Sequence, residues 1–149
     1  MEKKIEKENG VFKVAVPAGA VLLVVHLVAV ENNWYRSIPW IDIISHFGAT
    51  VVFGLGVYWL ILRFPGHLDL SKNLFVTLLA GASLSALGAV LWEFGEYIYD
   101  LTNLASNPNA LPVQLSIGDT LKDLLFNILG GIAVAIFARV HYHRKRKQL

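Results

Sequence analysis

The sequence contains no cysteine, which excludes a disulfide framework, a thiolate metal site and a cysteine nucleophile. It is also poor in charge, since 16% of its 149 residues are charged, compared with about 25% in an average soluble domain. Hydrophobic residues make up 55% of the chain, and this balance excludes disorder. A single soluble core of this size could not bury so much apolar surface, so the composition predicts a membrane protein.

Four apolar stretches are long enough to cross a bilayer, which takes about 20 residues in a helix. The predicted spans cover residues 14–30, 41–62, 73–97 and 120–140, with a loop at 100–118. Their apolar residues do not alternate with a period of two, and backbone groups in lipid must be satisfied within the segment. We therefore expect an all-α, polytopic membrane protein: a four-transmembrane-helix bundle forming one domain over residues 1–149. The first span follows several lysines, as a signal peptide would, but its long apolar run predicts a retained helix.

Lysine and arginine are distributed unevenly between the two sides of such a bundle. Four spans put both termini on one side, and that side carries all but two of the 13 basic residues. Only Arg36 and Lys122 fall on the other side. The positive-inside rule therefore predicts a multi-pass protein of the cell membrane with both termini cytoplasmic. The basic tail at residues 139–147 is expected to anchor this topology, and nucleic acid is not expected as a partner.

Ionisable residues within the predicted spans gather in the outer half of the bilayer. Spacings of three or four residues place each pair on one helix face. Such groups are costly in lipid and are functional candidates by default. They are Asp42 and His46 in span two, Glu93 and Glu96 in span three, and Asp119 and Asp123 in span four, with Asn127 and His26 as polar neighbours.

The excess of carboxylates in this region predicts either protonated carboxylates, a bound metal ion or a cationic ligand group, because like charges in low dielectric cannot all stay ionised. The candidate catalytic residues are His46 as general base or nucleophile, Glu93 or Glu96 as general acid, and Asp123 as the partner of His46. All six ionisable residues are candidate ligands of a divalent cation such as magnesium, calcium or manganese. Asn127 and His26 would support them from a second shell of contacts.

Structural roles remain open for several of these residues. Asp119, like Ser116 and Thr120, could cap the fourth helix, and Asp42 could cap the second. His26 could be a hydrogen-bonded interior histidine. Small residues in spans three and four are expected to allow close helix packing; they are Gly81, Ser85, Gly88, Gly130 and Gly131.

The polar residues of spans two to four form a pattern that resembles the VanZ-like membrane proteins, and more closely the YjdF-like family. The pattern is Asp42-x3-His46-Phe47, Trp92-Glu93-x2-Glu96 and Asp119-x3-Asp123-x3-Asn127-x2-Gly130, within about residues 41–131. VanZ-like proteins are associated with glycopeptide (teicoplanin) resistance, and lipid head-group chemistry has been suggested for such folds. They usually carry glutamine where Glu96 stands and an arginine before the last helix. This loop has no arginine, so the resemblance does not extend to a phosphate-binding arginine.

Three functions are compatible with these residues. The first is an enzyme that hydrolyses or transfers lipid head groups, the second is a transporter-like protein that binds cations or protons, and the third is a non-catalytic protein with a structural polar network. Membrane lipids are the expected partners, and assembly into a homo-oligomer is left open. The sequence identifies no substrate.

Overall fold

The computed structural model describes residues 2–64 and 73–146, with side chains at 10–38, 40–64 and 73–142. In these ranges the chain forms helices and no strand, and four of the helices are long and apolar enough to cross a membrane. The predicted all-α, four-helix membrane bundle is therefore confirmed. The link between spans two and three, and the side chains of the basic tail beyond Tyr142, lie outside the described residues. The helices are α1 (Glu2–Glu31), α2 (Trp34–Ser37), α3 (Pro39–Arg63), α4 (Leu74–Ser106) and α5 (Ile117–Arg146).

Short polar side chains and one proline define where the long helices begin. The Asn73 side chain caps α4 by accepting hydrogen bonds from the Phe75 and Val76 amides. Ser116 caps α5, since its Oγ accepts a hydrogen bond from the amide of Asp119 at 3.1 Å. Pro39 occupies the first turn of α3. Backbone N–H groups there have no partner within the helix, so the N–H that proline lacks costs no hydrogen bond.

Helix α4 continues to Ser106, beyond residue 97 where the predicted span ended. Its connection to α5 is therefore shorter than the predicted loop at 100–118. No glycine or proline interrupts the chain between Gly95 and Pro108. The residue before a proline disfavours the helical conformation, so α4 ends just ahead of Asn107.

Helix α5 packs against both α3 and α4, and α1 packs against α3. Two adjacent glycines allow this central position. A Cβ atom at Gly130 would meet the Phe47 carbonyl oxygen of α3 at 3.0 Å, whereas one at Gly131 would meet the Gly81 carbonyl oxygen of α4 at 2.8 Å. The expected packing role is thus confirmed at these three glycines, while a Cβ at Gly88 would meet nothing within 4 Å.

Replacing Gly131 with alanine is expected to destabilise the bundle by about 1–3 kcal/mol, the usual cost of overpacking a close contact. The added methyl group would displace Ser85 and press on the Gly81 carbonyl group. Apparent unfolding temperatures in detergent would measure the effect. Gly88→Ala is the matched control, because it adds the same methyl group to open space. Equal unfolding temperatures for the two variants would contradict this account of the packing.

The helix contacts also fix which residues lie at the same level. Helices α3 and α5 run in the same direction, and α4 runs opposite to both. Ser85 lies beside Gly131, so about two turns further along, Glu93 lies level with Asp123. We call this end of the bundle, where α3 and α5 begin, the Asp42 end.

Candidate functional site

Charged side chains of α3 and α5 converge at the Asp42 end, and we call Asp42, His46, Asp119, Lys122 and Asp123 the α3–α5 cluster. Nε2 of His46 lies 3.3 Å from Oδ1 of Asp42 and 3.8 Å from Oδ2 of Asp123. His46 and Asp123 are buried, at 9% and 4% exposed. Asp42 therefore contacts His46, the residue predicted to share its helix face, and its side chain does not cap α3. Asp119 also bonds within the cluster, since Ser116 supplies the cap of α5.

Lys122 is the central cation of the cluster. Its Nζ lies 2.6 Å from Oδ1 of Asp119, 2.9 Å from Oδ2 of Asp42 and 3.5 Å from Oδ1 of Asp123. The sequence places Lys122 on the same side of the membrane as these carboxylates. In the structure, this lysine contacts three of them and partly neutralises their charge.

Asn127 fixes the orientation of the His46 ring. Its Nδ2 donates to the carbonyl oxygen of Asp123 at 2.8 Å and to Nδ1 of His46 at 3.0 Å, and its Oδ1 accepts from the Thr50 hydroxyl. An amide oxygen in place of Nδ2 would face the Asp123 carbonyl oxygen, so this orientation is the one the network supports. Since Nδ1 accepts a hydrogen bond, the proton of the neutral imidazole is on Nε2 and faces the carboxylates.

Glu93 takes part in a separate group that joins α4 to the following loop. Its Oε2 accepts a hydrogen bond from Nε2 of Gln114 at 3.0 Å. Its Oε1 is buried, and within the described part of the chain nothing hydrogen-bonds to it. The Asp100 carboxylate accepts from the amides of Val113 and Gln114, at 2.7 and 2.9 Å. These hydrogen bonds hold the loop between α4 and α5 against α4.

Removing the Asp100 carboxylate is expected to release this loop. In Asp100→Ala, the amides of Val113 and Gln114 should exchange with deuterium about tenfold faster or more, since hydrogen bonds to charged groups contribute about 1.5–3 kcal/mol each. Hydrogen-exchange mass spectrometry of the loop peptide would measure this change. Glu31→Ala, which removes an exposed carboxylate at the same end of the bundle, should leave the exchange unaltered. Unchanged exchange in Asp100→Ala would refute this role.

His26 and Glu96 are bonded to other groups. The His26 ring makes a tilted contact with Tyr35 and an edge contact with Trp92, at centroid distances of 5.6 and 6.1 Å, and its Nδ1 lies 2.7 Å from the Tyr35 hydroxyl. That hydroxyl donates to Ser45, so His26 is the donor in the bond to Tyr35. Burial raises the pKa of the Tyr35 hydroxyl, which keeps this proton in place. Glu96 is half-buried and accepts from Nε1 of Trp92 at 2.8 Å.

The side chains of Asp42, His46 and Asp123 also lie close enough together to bind one metal ion, and we call these three residues the metal group. Each offers one ligand atom, and these atoms lie within 4.8 Å of one another. The candidate ligands Glu93, Glu96 and Asp119 do not belong to this group. A cation bound there would require Nε2 of His46 without its proton, and hence a different hydrogen bond at Nδ1.

The sequence predicted the pairing of Asp42 with His46 on one helix and of His46 with Asp123 between helices, whereas other long-range contacts were missed. The sequence indicated no role for Thr50 or Gln114, and it identified Arg36 only as one of two basic residues on its side of the membrane. Arg36 donates to the Pro112 carbonyl oxygen, so α2 also holds the loop between α4 and α5. These contacts were not predicted because the residues that make them lie far apart along the chain.

Comparison with known proteins identifies a family. The family described as "Predicted membrane protein (DUF2238)" matches residues 12–144, which include the whole α3–α5 cluster. No curated protein and no solved structure matches the chain. The match covers most of the chain and agrees with its four candidate membrane spans. The chain therefore belongs to the DUF2238 family of predicted membrane proteins.

Proposed function

We propose that this protein is an integral membrane enzyme that hydrolyses or transfers lipid head groups at the α3–α5 cluster. The observation that carries the proposal is the convergence of buried His46 and Asp123 with Lys122 in the first turns of two candidate membrane spans. Costly ionisable groups at this position favour a functional role. The resemblance of the pattern to VanZ-like and YjdF-like proteins supports lipid as the substrate class.

The membrane side of the cluster follows from the basic residues of the sequence. Their strong asymmetry supports a cell-membrane location with both termini cytoplasmic, which would put the Asp42 end in the outer leaflet. A lipid could then approach the cluster from within that leaflet.

The geometry favours Asp123 as the general base. The His46 lone pair at Nδ1 is already engaged by Asn127, and Nε2–H faces the two carboxylates. Asp123 is buried, and its Oδ1 makes no hydrogen bond within the described residues. This carboxylate would take a proton from the attacking water or hydroxyl group, and Lys122 would donate a proton to the leaving oxygen. His46 would then hold Asp42 and Asp123 in position.

Lipid composition tests the proposed activity. Membranes from cells that produce the wild type, His46→Ala or Glu31→Gln would be compared by lipid mass spectrometry, at matched protein levels. We expect one head-group species to change with the wild type and with Glu31→Gln, but not with His46→Ala. Indistinguishable lipid profiles for the wild type and His46→Ala would contradict the proposal.

A divalent-cation site is the second candidate, and the metal group of Asp42, His46 and Asp123 favours it. In this case, Lys122 competes with the cation, because its ammonium lies against both carboxylates. Lys122→Met should therefore bind Mn²⁺ more tightly than the wild type, as measured by electron paramagnetic resonance on the purified protein. Absence of Mn²⁺ binding in both proteins would refute this candidate.

A further inference from the structure

We infer that the head group bound at the α3–α5 cluster carries a primary amine. This inference rests on the proposed function for the lipid nature of the ligand, and on the cluster itself for its charge. Three carboxylates (Asp42, Asp119 and Asp123) surround the single ammonium of Lys122, which leaves two formal negative charges. His46 adds no positive charge in the neutral form whose Nδ1 accepts from Asn127, and a protonated His46 would still leave one formal negative charge. The cluster therefore attracts a further cation.

The cluster already shows how it binds an ammonium group. Nζ of Lys122 makes hydrogen bonds of 2.6 and 2.9 Å to carboxylates from two different helices. An ammonium group has three N–H donors, and carboxylate oxygens accept them strongly. A ligand amine has the same chemistry as the Lys122 ammonium. It could therefore bind to the same carboxylates, either beside Lys122 or in its place.

Two buried carboxylate oxygens at this level have acceptor capacity to spare. Oδ1 of Asp123 lies 3.5 Å from Nζ of Lys122 without a hydrogen bond, and Oε1 of Glu93 also has none within the described residues. Asp123 and Glu93 are 4% and 6% exposed, and the helix register places these two residues at the same level along the bundle. Buried acceptors without partners are costly, so a donor that bonds to them would stabilise the site.

The same contacts disfavour a quaternary ammonium and a phosphate. A quaternary ammonium has no N–H to donate and is usually held by an aromatic cage. Trp92 and Phe94, the two aromatic neighbours of Glu93 in sequence, are 52% and 60% exposed, and Trp92 donates to Glu96. The excess of carboxylates would repel a phosphate, and the Arg36 guanidinium is bonded to the Pro112 carbonyl, so the carboxylates would hold the amine of the head group and not its phosphate.

Lipid retention tests the inference directly. The full chain, purified in detergent, would be supplied with equal amounts of dioleoyl-phosphatidylethanolamine, -phosphatidylcholine or -phosphatidylglycerol, and retained lipids would be counted by native mass spectrometry. We expect about tenfold stronger retention of phosphatidylethanolamine than of the other two, which is the effect of one hydrogen bond between charged partners. Free ethanolamine, the soluble probe of the same chemistry, should compete only weakly.

Variants separate the cluster from other lipid contacts. Asp123→Asn and Glu93→Gln should each remove most of the preference for phosphatidylethanolamine, while the exposed control Glu31→Gln should keep it. Lys122→Met should retain more phosphatidylethanolamine than the wild type, because its own ammonium no longer competes. Circular dichroism and the apparent unfolding temperature of each variant would verify folding, and Glu93→Gln serves if Asp123→Asn fails to fold.

Equal retention of the three lipids, or a preference that survives in both carboxylate variants, would overturn the inference. Competition by free ethanolamine as strong as that of the lipid would also overturn it, since the ligand would then be a soluble amine. These outcomes are distinct from failure of the proposed enzyme activity, because retention requires no turnover. Selective retention with an unchanged lipid composition in cells would support this inference and contradict the proposed reaction.

Discussion

Replacing Asp123 with asparagine is expected to lower head-group turnover by about 10²- to 10⁴-fold, the usual contribution of a general base. The amide keeps the size of the side chain but cannot accept the proton of the attacking group. Turnover would be followed in vesicles containing the lipid species identified from the cell membranes. Asp119→Asn, which alters a carboxylate bonded to Lys122 on the same helix, should cause a much smaller loss. Equal losses in the two variants would mean that Asp123 acts only by positioning Lys122.

The stability of the same variant distinguishes a catalytic role from a structural polar network. Oδ1 of Asp123 is buried and makes no hydrogen bond within the described residues. Removing its negative charge from a cluster with excess carboxylates should leave the unfolding temperature unchanged or raise it. A fall in stability that parallels the fall in turnover would favour the structural network instead.

Replacing Asn127 with leucine is expected to destabilise the protein by about 2–5 kcal/mol, because it leaves two buried groups without partners. These groups are the Thr50 hydroxyl and Nδ1 of His46, both now bonded to the Asn127 amide. Unfolding in mixed micelles would measure the change in free energy. Asn32→Leu is the control, since Asn32 is exposed and its side chain bonds to the carbonyl oxygen of Val28 in the preceding helix. Similar stabilities of the two variants would refute the central role of Asn127.

A double-mutant cycle assigns the Thr50 part of this effect. Thr50→Val alone should destabilise the protein by leaving Oδ1 of Asn127 without its donor. In the Asn127→Leu background, the same change should be neutral or stabilising, because the Thr50 hydroxyl has already lost its partner. Additive effects would show that the two side chains do not act as a pair.

The parts of the site that lie within one helix were predictable from the sequence. Asp42 and His46 are four residues apart, and the 3.6-residue helical period brings them together regardless of the neighbouring helices. The enrichment of carboxylates at one end of the bundle was also evident from their positions in the apolar stretches. The extent of α4 was not predicted, because helix length past the membrane depends on local breakers such as Pro108 rather than on hydropathy.

The long-range partners of Lys122 and Glu93 could not be predicted from the sequence. Lys122 on α5 contacts Asp42 on α3. Gln114 contacts Glu93 from a loop that is bonded to Asp100. A lysine in the first turn of an apolar helix is equally compatible with an outward side chain at the membrane surface. Only the rotation of α5 between α3 and α4 directs it to the carboxylates, and adjacent glycines facing different helices permit that rotation.

By itself, the sequence determined that this protein resides in a membrane, that it is built of four long helices, and that the carboxylates associated with spans two to four lie near one end. These properties follow from apolar content and helical periodicity, which depend on neighbouring residues along the chain. The tertiary structure decided which groups each nitrogen of His46 contacts, which cation faces the carboxylates and which buried oxygens stay without partners among the described residues. Those features depend on distances between helices, and hydrogen bonds and ion pairs form only when separate helices come within a few ångströms of one another.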